Sequence, residues 1–148
     1  MANVYDVAKY ILRKQGVMST WKLQKLCYYA QAWSLTWTER ELFSENFEAW
    51  SNGPVCRELF NEHKGLFRIG YSDLKKGNPE QLTSDEQDTV NIVLKDYGNV
   101  SPYELRELSH SEVPWKVIRG NLLDGCHSEE VIPKSLMGSY YGSLLNMV

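Results

Sequence analysis

The sequence predicts a mainly α fold: a compact single-domain helical bundle over residues 1–148, with about six to seven helices and a small two-stranded β ribbon. Apolar residues recur at helical spacing in most segments. Helix start signals are frequent, and only one stretch alternates clearly in the manner of a strand. The chain is 43% hydrophobic and 24% charged, and 148 residues can bury a core without disulfides or metals.

The first two helices carry the clearest apolar stripes. The first begins at Val4, after Asn3 as N-cap, and ends before Gly16. The second follows the N-cap Ser19 and runs to about Trp37. Further apolar residues lie outside its stripe, so it is packed on more than one side and belongs at the centre of the fold. The stripe consists of Leu23, Leu26, Cys27, Ala30, Trp33 and Trp37.

A short β ribbon is predicted in the middle of the chain. Phe47–Trp50 can alternate as a strand, and its expected partner is the region Glu130–Ile132. The Gly53-Pro54 corner that follows is interpreted as a strand-to-helix hinge, because Pro54 suits the first turn of a helix. A third helix is therefore expected to include Val55.

The second half of the chain is predicted to be helical after one irregular excursion. Residues 65–82 are rich in turn residues and are expected to contain little regular structure. Capping signals then mark the remaining helices, including a capping box and an N-terminal proline. Their expected capping or first residues are Thr83, Ser101, Ser111 and Pro133.

Charge and cysteine content argue against several classes of function. The net charge is −3, and the short clusters Arg13-Lys14 and Lys75-Lys76 are interpreted as solvated surface, so no direct nucleic-acid binding is expected. Three widely spaced cysteines indicate reduced thiols in a cytoplasmic protein. The sequence shows no signal peptide and no membrane span, and neither a metal nor a cofactor is expected.

Catalytic signals are weak. The glycines match no phosphate-binding loop. Ser109, His110 and Glu112 are neighbours in sequence, whereas the members of a catalytic triad usually meet across a fold. A small enzyme with its site near His110, Glu112 and Trp115 remains the alternative from a different functional class.

The flank of the second helix allows two interpretations. Lys22, Lys25 and Tyr29 lie at positions i, i+3 and i+7, beside the apolar stripe. The lysines could extend over apolar surface with their charges in water. Alternatively, the three residues form one edge of a partner-binding surface that Trp50 and Asn52 complete.

Three separated motifs belong together. They are KLQKLCYYAQAW at residues 22–33, EAWSNGPV at 48–55 and LSHSEVPW at 108–115. In this order and spacing they resemble the Panacea domain, or SocA-like antitoxin, family of phage-associated GepA-like proteins, over roughly residues 4–145. The motif positions with an expected structural role are Leu23, Leu26, Trp33, Gly53, Pro54, His110, Glu112, Pro114 and Trp115.

The resemblance implies a non-enzymatic antitoxin. Such a protein is expected to neutralise a cognate toxin, encoded by a neighbouring gene in a prophage or mobile element, by direct protein–protein contact. The alternative within the same family is a proteolytic adaptor that delivers the toxin to a AAA+ protease. The resemblance supplies no catalytic residues and no cofactor.

Overall fold

A computed structural model describes residues 1–145, and within that range the protein is mainly α-helical with small β elements. The helices are α1 (Val4–Gln15), α2 (Thr20–Thr38), α3 (Arg57–His63), α4 (Ser84–Tyr97), α5 (Pro102–Ser111), α6 (Val113–Arg119) and α7 (Lys134–Leu145). The strands are β1 (Met18–Ser19), β2 (Phe47–Trp50), β3 (Gly53–Val55), β4 (Arg68–Ile69) and β5 (Val131–Ile132). The predicted single domain extends to residue 148, and its last three residues lie outside the described range.

Helix α2 occupies the centre of the fold, as predicted. It packs against α1, α4, α5 and α7, and every residue from 23 to 32 is buried. The predicted stripe is wrong at its last member, because the Trp37 side chain is 38% exposed where α2 leaves the core. Trp33 is half-buried, and its ring stacks on that of Trp37.

Two buried glutamines on α2 bind the backbone of neighbouring segments. The Gln31 amide donates to the Phe43 carbonyl at 2.7 Å and accepts from the Leu42 N–H at 2.7 Å. Gln24 lies seven residues earlier, two helical turns away on the same face, and binds the backbone of Cys56 in the same way. Both amides thereby hydrogen-bond to buried backbone groups, and the Cys56 carbonyl also accepts from the Phe60 N–H at 2.9 Å.

Most of the predicted helix starts are confirmed. Ser19 accepts a hydrogen bond from the Lys22 N–H at 3.0 Å, and Ser101 accepts one from the Glu104 N–H at 3.1 Å. Thr83 forms the predicted capping box for α4. These bonds satisfy N–H groups that the first turn of a helix leaves unpaired.

The predicted cap of α6 is wrong. Ser111 is the last residue of α5, and its hydroxyl donates to the Leu108 carbonyl at 2.7 Å. The residue that precedes α6 is Glu112, whose side chain makes no capping bond to the helix. That carboxylate is directed instead into the core, where it has other partners.

The main sheet has three strands rather than two. Strand β2 pairs with β5 as predicted, with Phe47 opposite Ile132, and it also pairs with β3. Gly53 and Pro54 therefore belong to a β hairpin with a two-residue turn, and α3 begins only at Arg57. Pro54 is tolerated because β3 is an edge strand, where the missing N–H costs no ladder bond.

Residues 65–82 are largely irregular, as predicted, but they contain one pairing that the sequence did not indicate. Strand β4 pairs with β1, with Ser19 opposite Arg68, and two 3-10 turns follow at Tyr71–Asp73 and Pro79–Gln81. Strands of two residues are too short for an alternating pattern to appear. This pairing places the start of the excursion beside the N-terminus of α2.

Leu105 and Leu108, on the same helix, provide a matched test of the core. Leu105 is completely buried, whereas Leu108 is 36% exposed. We expect Leu105→Ala to lower the free energy of unfolding by about 2–5 kcal/mol, because it leaves a cavity. Leu108→Ala should cost less than about 1 kcal/mol. Urea denaturation of both variants measures the difference, and equal losses would contradict this placement of α5.

Candidate functional site

The three sequence motifs meet around the β2–β3 hairpin. The first contact joins α2 to the end of this hairpin. The Gln24 side-chain amide donates to the Cys56 carbonyl at 3.1 Å, and the Cys56 N–H donates to the side-chain Oε1 of Gln24 at 2.8 Å. The same amide nitrogen lies 3.0 Å from Nε2 of the buried His63. A single side chain of the first motif therefore fixes the segment that follows the second.

The third motif also contacts the hairpin. The Trp115 indole N–H donates to the Trp50 carbonyl at 2.7 Å, and its ring stacks on that of His110 with centroids 4.0 Å apart. Arg119, one turn further along α6, donates to the Ala49 carbonyl at 3.0 Å. These bonds pair carbonyls of β2 with buried donors, so the third motif also has a packing role.

The carboxylate of Glu112 joins the first motif to the third in the core. It accepts hydrogen bonds from the hydroxyls of Tyr29 and Tyr141, each at 2.7 Å. Burial raises the pKa of the Glu112 carboxyl, and the two hydroxyl donors act in the opposite direction. The Tyr29 ring also stacks on that of Tyr97 at 4.2 Å. The cluster links α2, α4 and α7 to the junction of α5 and α6.

Lys25 lies beneath the hairpin with no hydrogen-bond partner for its buried ammonium among the described residues. Its ammonium lies 5.4 Å from the centroid of the Trp21 ring. Burial lowers the pKa of Lys25 to about 7, and the positive charge of Arg106 contributes in the same direction. Gly53 faces this side chain from the hairpin: a Cβ there would lie 2.6 Å from the Lys25 Cε and 3.0 Å from the Ser109 Oγ.

His110 and its neighbours do not form an arrangement typical of acid–base or nucleophilic catalysis. Burial lowers the pKa of His110 to about 4, with further contributions from Arg106 and Lys25, so the imidazole is neutral near pH 7. The Ser109 hydroxyl donates to the Arg106 carbonyl at 3.1 Å rather than to an imidazole. The Glu112 carboxylate is occupied by two tyrosines. These contacts support a structural role for the motif.

The predicted partner-binding residues separate into interior and surface positions. Lys25 and Tyr29 are buried, so neither side chain extends into water in this structure. Lys22 is half-buried, and its ammonium donates to the Gly98 carbonyl at 2.7 Å. Trp50 is half-buried and Asn52 is exposed at the hairpin turn. Contact of any of these residues with a partner stays a prediction.

Sequence reasoning missed Arg119, which contacts several segments at once. It is 5% exposed, and besides the Ala49 carbonyl it donates to the carbonyls of Leu123, Asp124 and Cys126. It thereby holds the loop after α6 against β2. The available signal was a lone arginine at the end of a short apolar helix, a pattern shared with many exposed residues.

Within residues 1–145, no group of three or more His, Cys, Asp or Glu side chains is arranged to hold a metal ion. None of the described helices combines the length and the apolar character that a membrane span requires. The three cysteines are free, with Cys27 and Cys56 buried and Cys126 exposed.

Gly53 and Gly65 form a matched pair that tests the close contact with Lys25. Both have positive φ, +112° and +90°, but only Gly53 has neighbours where a Cβ would stand. Each change to Ala should cost on the order of 1–3 kcal/mol through backbone strain. We expect Gly53→Ala to lower the unfolding free energy more than Gly65→Ala. Chemical denaturation measures both, and equal losses would show that Lys25 and Ser109 give way freely.

Lys25→Met tests the cost of the buried ammonium. Between pH 7 and pH 10.5 the folded state binds fewer protons at Lys25 than the unfolded chain, so this residue makes stability rise with pH across that window. Below pH 7 Lys25 is charged in both the folded and the unfolded state, so the full free-energy cost of burying the ammonium lowers stability. At pH 6 we expect Lys25→Met to raise the unfolding free energy by about 2–4 kcal/mol, at about 1.4 kcal/mol per pKa unit.

The advantage of Lys25→Met should shrink as the pH rises from 7 to 9. Lys95→Met, at an exposed position on α4, is the control and should show no comparable trend. Denaturant titrations at several pH values provide the comparison. An advantage that does not change with pH would show that the ammonium is not the source of the cost.

Comparison with known proteins agrees with the grouping of the motifs. The family model described as "Antitoxin SocA-like, Panacea domain" matches residues 23–116. This span includes nearly all of the first motif and all of the other two. No curated protein and no solved structure matches the chain.

Proposed function

The chain belongs to the SocA-like antitoxin family with the Panacea domain, and from this we propose that it neutralises a toxin protein by binding it directly. The family match carries the proposal, because it covers residues 23–116 and includes the contacts that join α2, the β2–β3 hairpin and α6. The partner is the product of a neighbouring gene, and the complex forms in the cytoplasm, where unpaired cysteines persist.

We infer that the mechanism is occlusion of the toxin rather than its delivery to a protease. The polar side chains of the motifs largely bind one another or the backbone, so they serve as a scaffold. Most of the binding energy then comes from a few accessible side chains that fit the surface of the partner. Neutral His110 and the tyrosine-bound Glu112 support a role without catalysis.

Co-expression with the adjacent open reading frame tests this function. We expect the neighbour alone to stop growth and this protein to restore it, with the two proteins co-purifying. A neighbour that is harmless alone, or that stays toxic in the presence of this protein, would contradict the antitoxin proposal.

Two further measurements separate the mechanisms. Occlusion leaves the half-life of a tagged toxin unchanged after translation is blocked, whereas an adaptor would shorten it in a protease-dependent manner. His110→Gln tests the enzyme alternative, and we expect this variant to protect as well as the wild type. A folded His110→Gln variant that no longer protects would favour the enzyme.

A further inference from the structure

A separate surface, formed by α1 and the excursion after α3, is both basic and apolar. We refer to it as the basic–aromatic face. It consists of Lys9, Lys14, Val17, Leu66, Phe67, Arg68 and Tyr71. The three motifs lie outside it.

Backbone contacts make this face continuous although its two halves are about 50 residues apart in sequence. The Thr20 N–H donates to the Phe67 carbonyl at 3.0 Å, beside the paired strands β1 and β4. Val17 lies against Gly70, where a Cβ would be 3.1 Å from the valine methyl. Lys9 donates to the Tyr71 carbonyl at 3.0 Å, and its ammonium lies 4.0 Å from the Tyr71 ring centroid.

The four apolar members of the face are all exposed. Phe67 is 75% exposed and Val17 59%, and Leu66 and Tyr71 are 44% and 41% exposed. Phe67 keeps most of its accessible surface, and the other three keep between about two fifths and three fifths of theirs, so packing accounts for only part of their presence. Contiguous exposed apolar groups with polar residues around them are typical of interaction sites.

Charge is concentrated on the same two segments. Residues 4–16 and 64–76 contain seven of the 16 Lys and Arg but two of the 19 Asp and Glu, so the two segments together have a formal charge of +5 in a chain of net charge −3. Both acidic side chains are used internally, since Asp6 accepts from the Asn3 N–H and Asp73 from the Gly70 N–H.

Several of these basic groups are available to a partner. Arg13 and Lys76 pair with Glu80 and Glu62 at the margin of the face. Among the described residues, no carboxylate lies within ion-pair distance of Lys14, Lys64 or Arg68. All three are exposed. The clusters that are separate in the sequence thus contribute to one positive surface.

We propose that the basic–aromatic face docks the protein partner, and that the partner presents carboxylates around one or two apolar side chains. The inference rests on the proposed function and specifies the chemistry of the toxin surface. An apolar centre with charged groups at its margin matches the anatomy of protein interfaces. The negative charge of the chain as a whole disfavours a nucleic-acid polyanion, and complementary charge favours an acidic protein surface.

Two pairs of surface variants test the proposal. Phe67→Ser removes the most exposed apolar group of the face, and Leu123→Ser is its control, since Leu123 is equally exposed at 75%. Arg68→Glu reverses a charge on the face, and Lys116→Glu makes the same change on the outside of α6. Circular dichroism and thermal melting of the purified proteins establish that all four variants are folded.

The readout is the affinity for the purified product of the adjacent open reading frame, together with protection of growth. We expect Phe67→Ser and Arg68→Glu each to weaken binding at least about tenfold and to lose protection, with both controls close to wild type. Wild-type binding should weaken between about 0.05 and 0.5 M NaCl, and Arg68→Glu should reduce that dependence.

The outcomes distinguish this inference from the proposed function. If the wild type protects and the folded Phe67→Ser and Arg68→Glu variants protect equally, the docking face is wrong and the antitoxin function stands. If the wild type does not protect, the function itself fails. Wild-type binding to a dT oligonucleotide that Arg68→Glu abolishes, or a dimer that Phe67→Ser dissociates, would assign the face to another occupant and overturn the inference.

Discussion

The enclosure of the middle of α2, residues 23–32, is the constraint from which much of the remaining structure follows. A helix surrounded by other elements has no water for its polar side chains, so each must find a partner inside the protein or impose a cost. Gln24 and Gln31 meet this requirement with backbone groups, and Tyr29 meets it with the carboxylate of Glu112. Hydrogen bonds from buried polar side chains of α2 therefore help to hold the hairpin, the loop before it and the α5–α6 junction in position.

Lys25 is the exception on that helix, and it shows how closely the hairpin covers the core. Its ammonium is buried without a hydrogen bond, and Gly53 stands where any larger residue would meet its side chain. The corner is therefore architectural, although its geometry is that of a hairpin rather than a hinge. Trp115 also contacts the hairpin, because its indole N–H donates to the Trp50 carbonyl.

Local signals predicted the helices because their causes are local. Ser19 and Thr83 cap the starts of helices through hydrogen bonds to residues three positions further along the chain. The strand that contains Pro54 was missed because pairing with β2, rather than its own composition, makes it extended. The burial of Lys25 was not predicted from the sequence. Helical periodicity identifies one buried face, whereas α2 is buried on all sides along most of its length. The positive surface was missed because residues 64–76 join α1 only in the folded chain.

The inward direction of the motif side chains has a consequence for how such chains are classified. Similarity at these positions groups proteins by a shared scaffold, since the residues it compares largely contact one another. The identity of the partner would instead depend on surface positions that are free to differ between relatives. Two residues of the basic–aromatic face, Lys9 and Val17, lie before the matched span 23–116. With the basic–aromatic face as the proposed docking surface, residues 9–17 and 64–76 are the positions expected to differ between relatives that bind different partners. Two chains with the same motifs would then bind different targets.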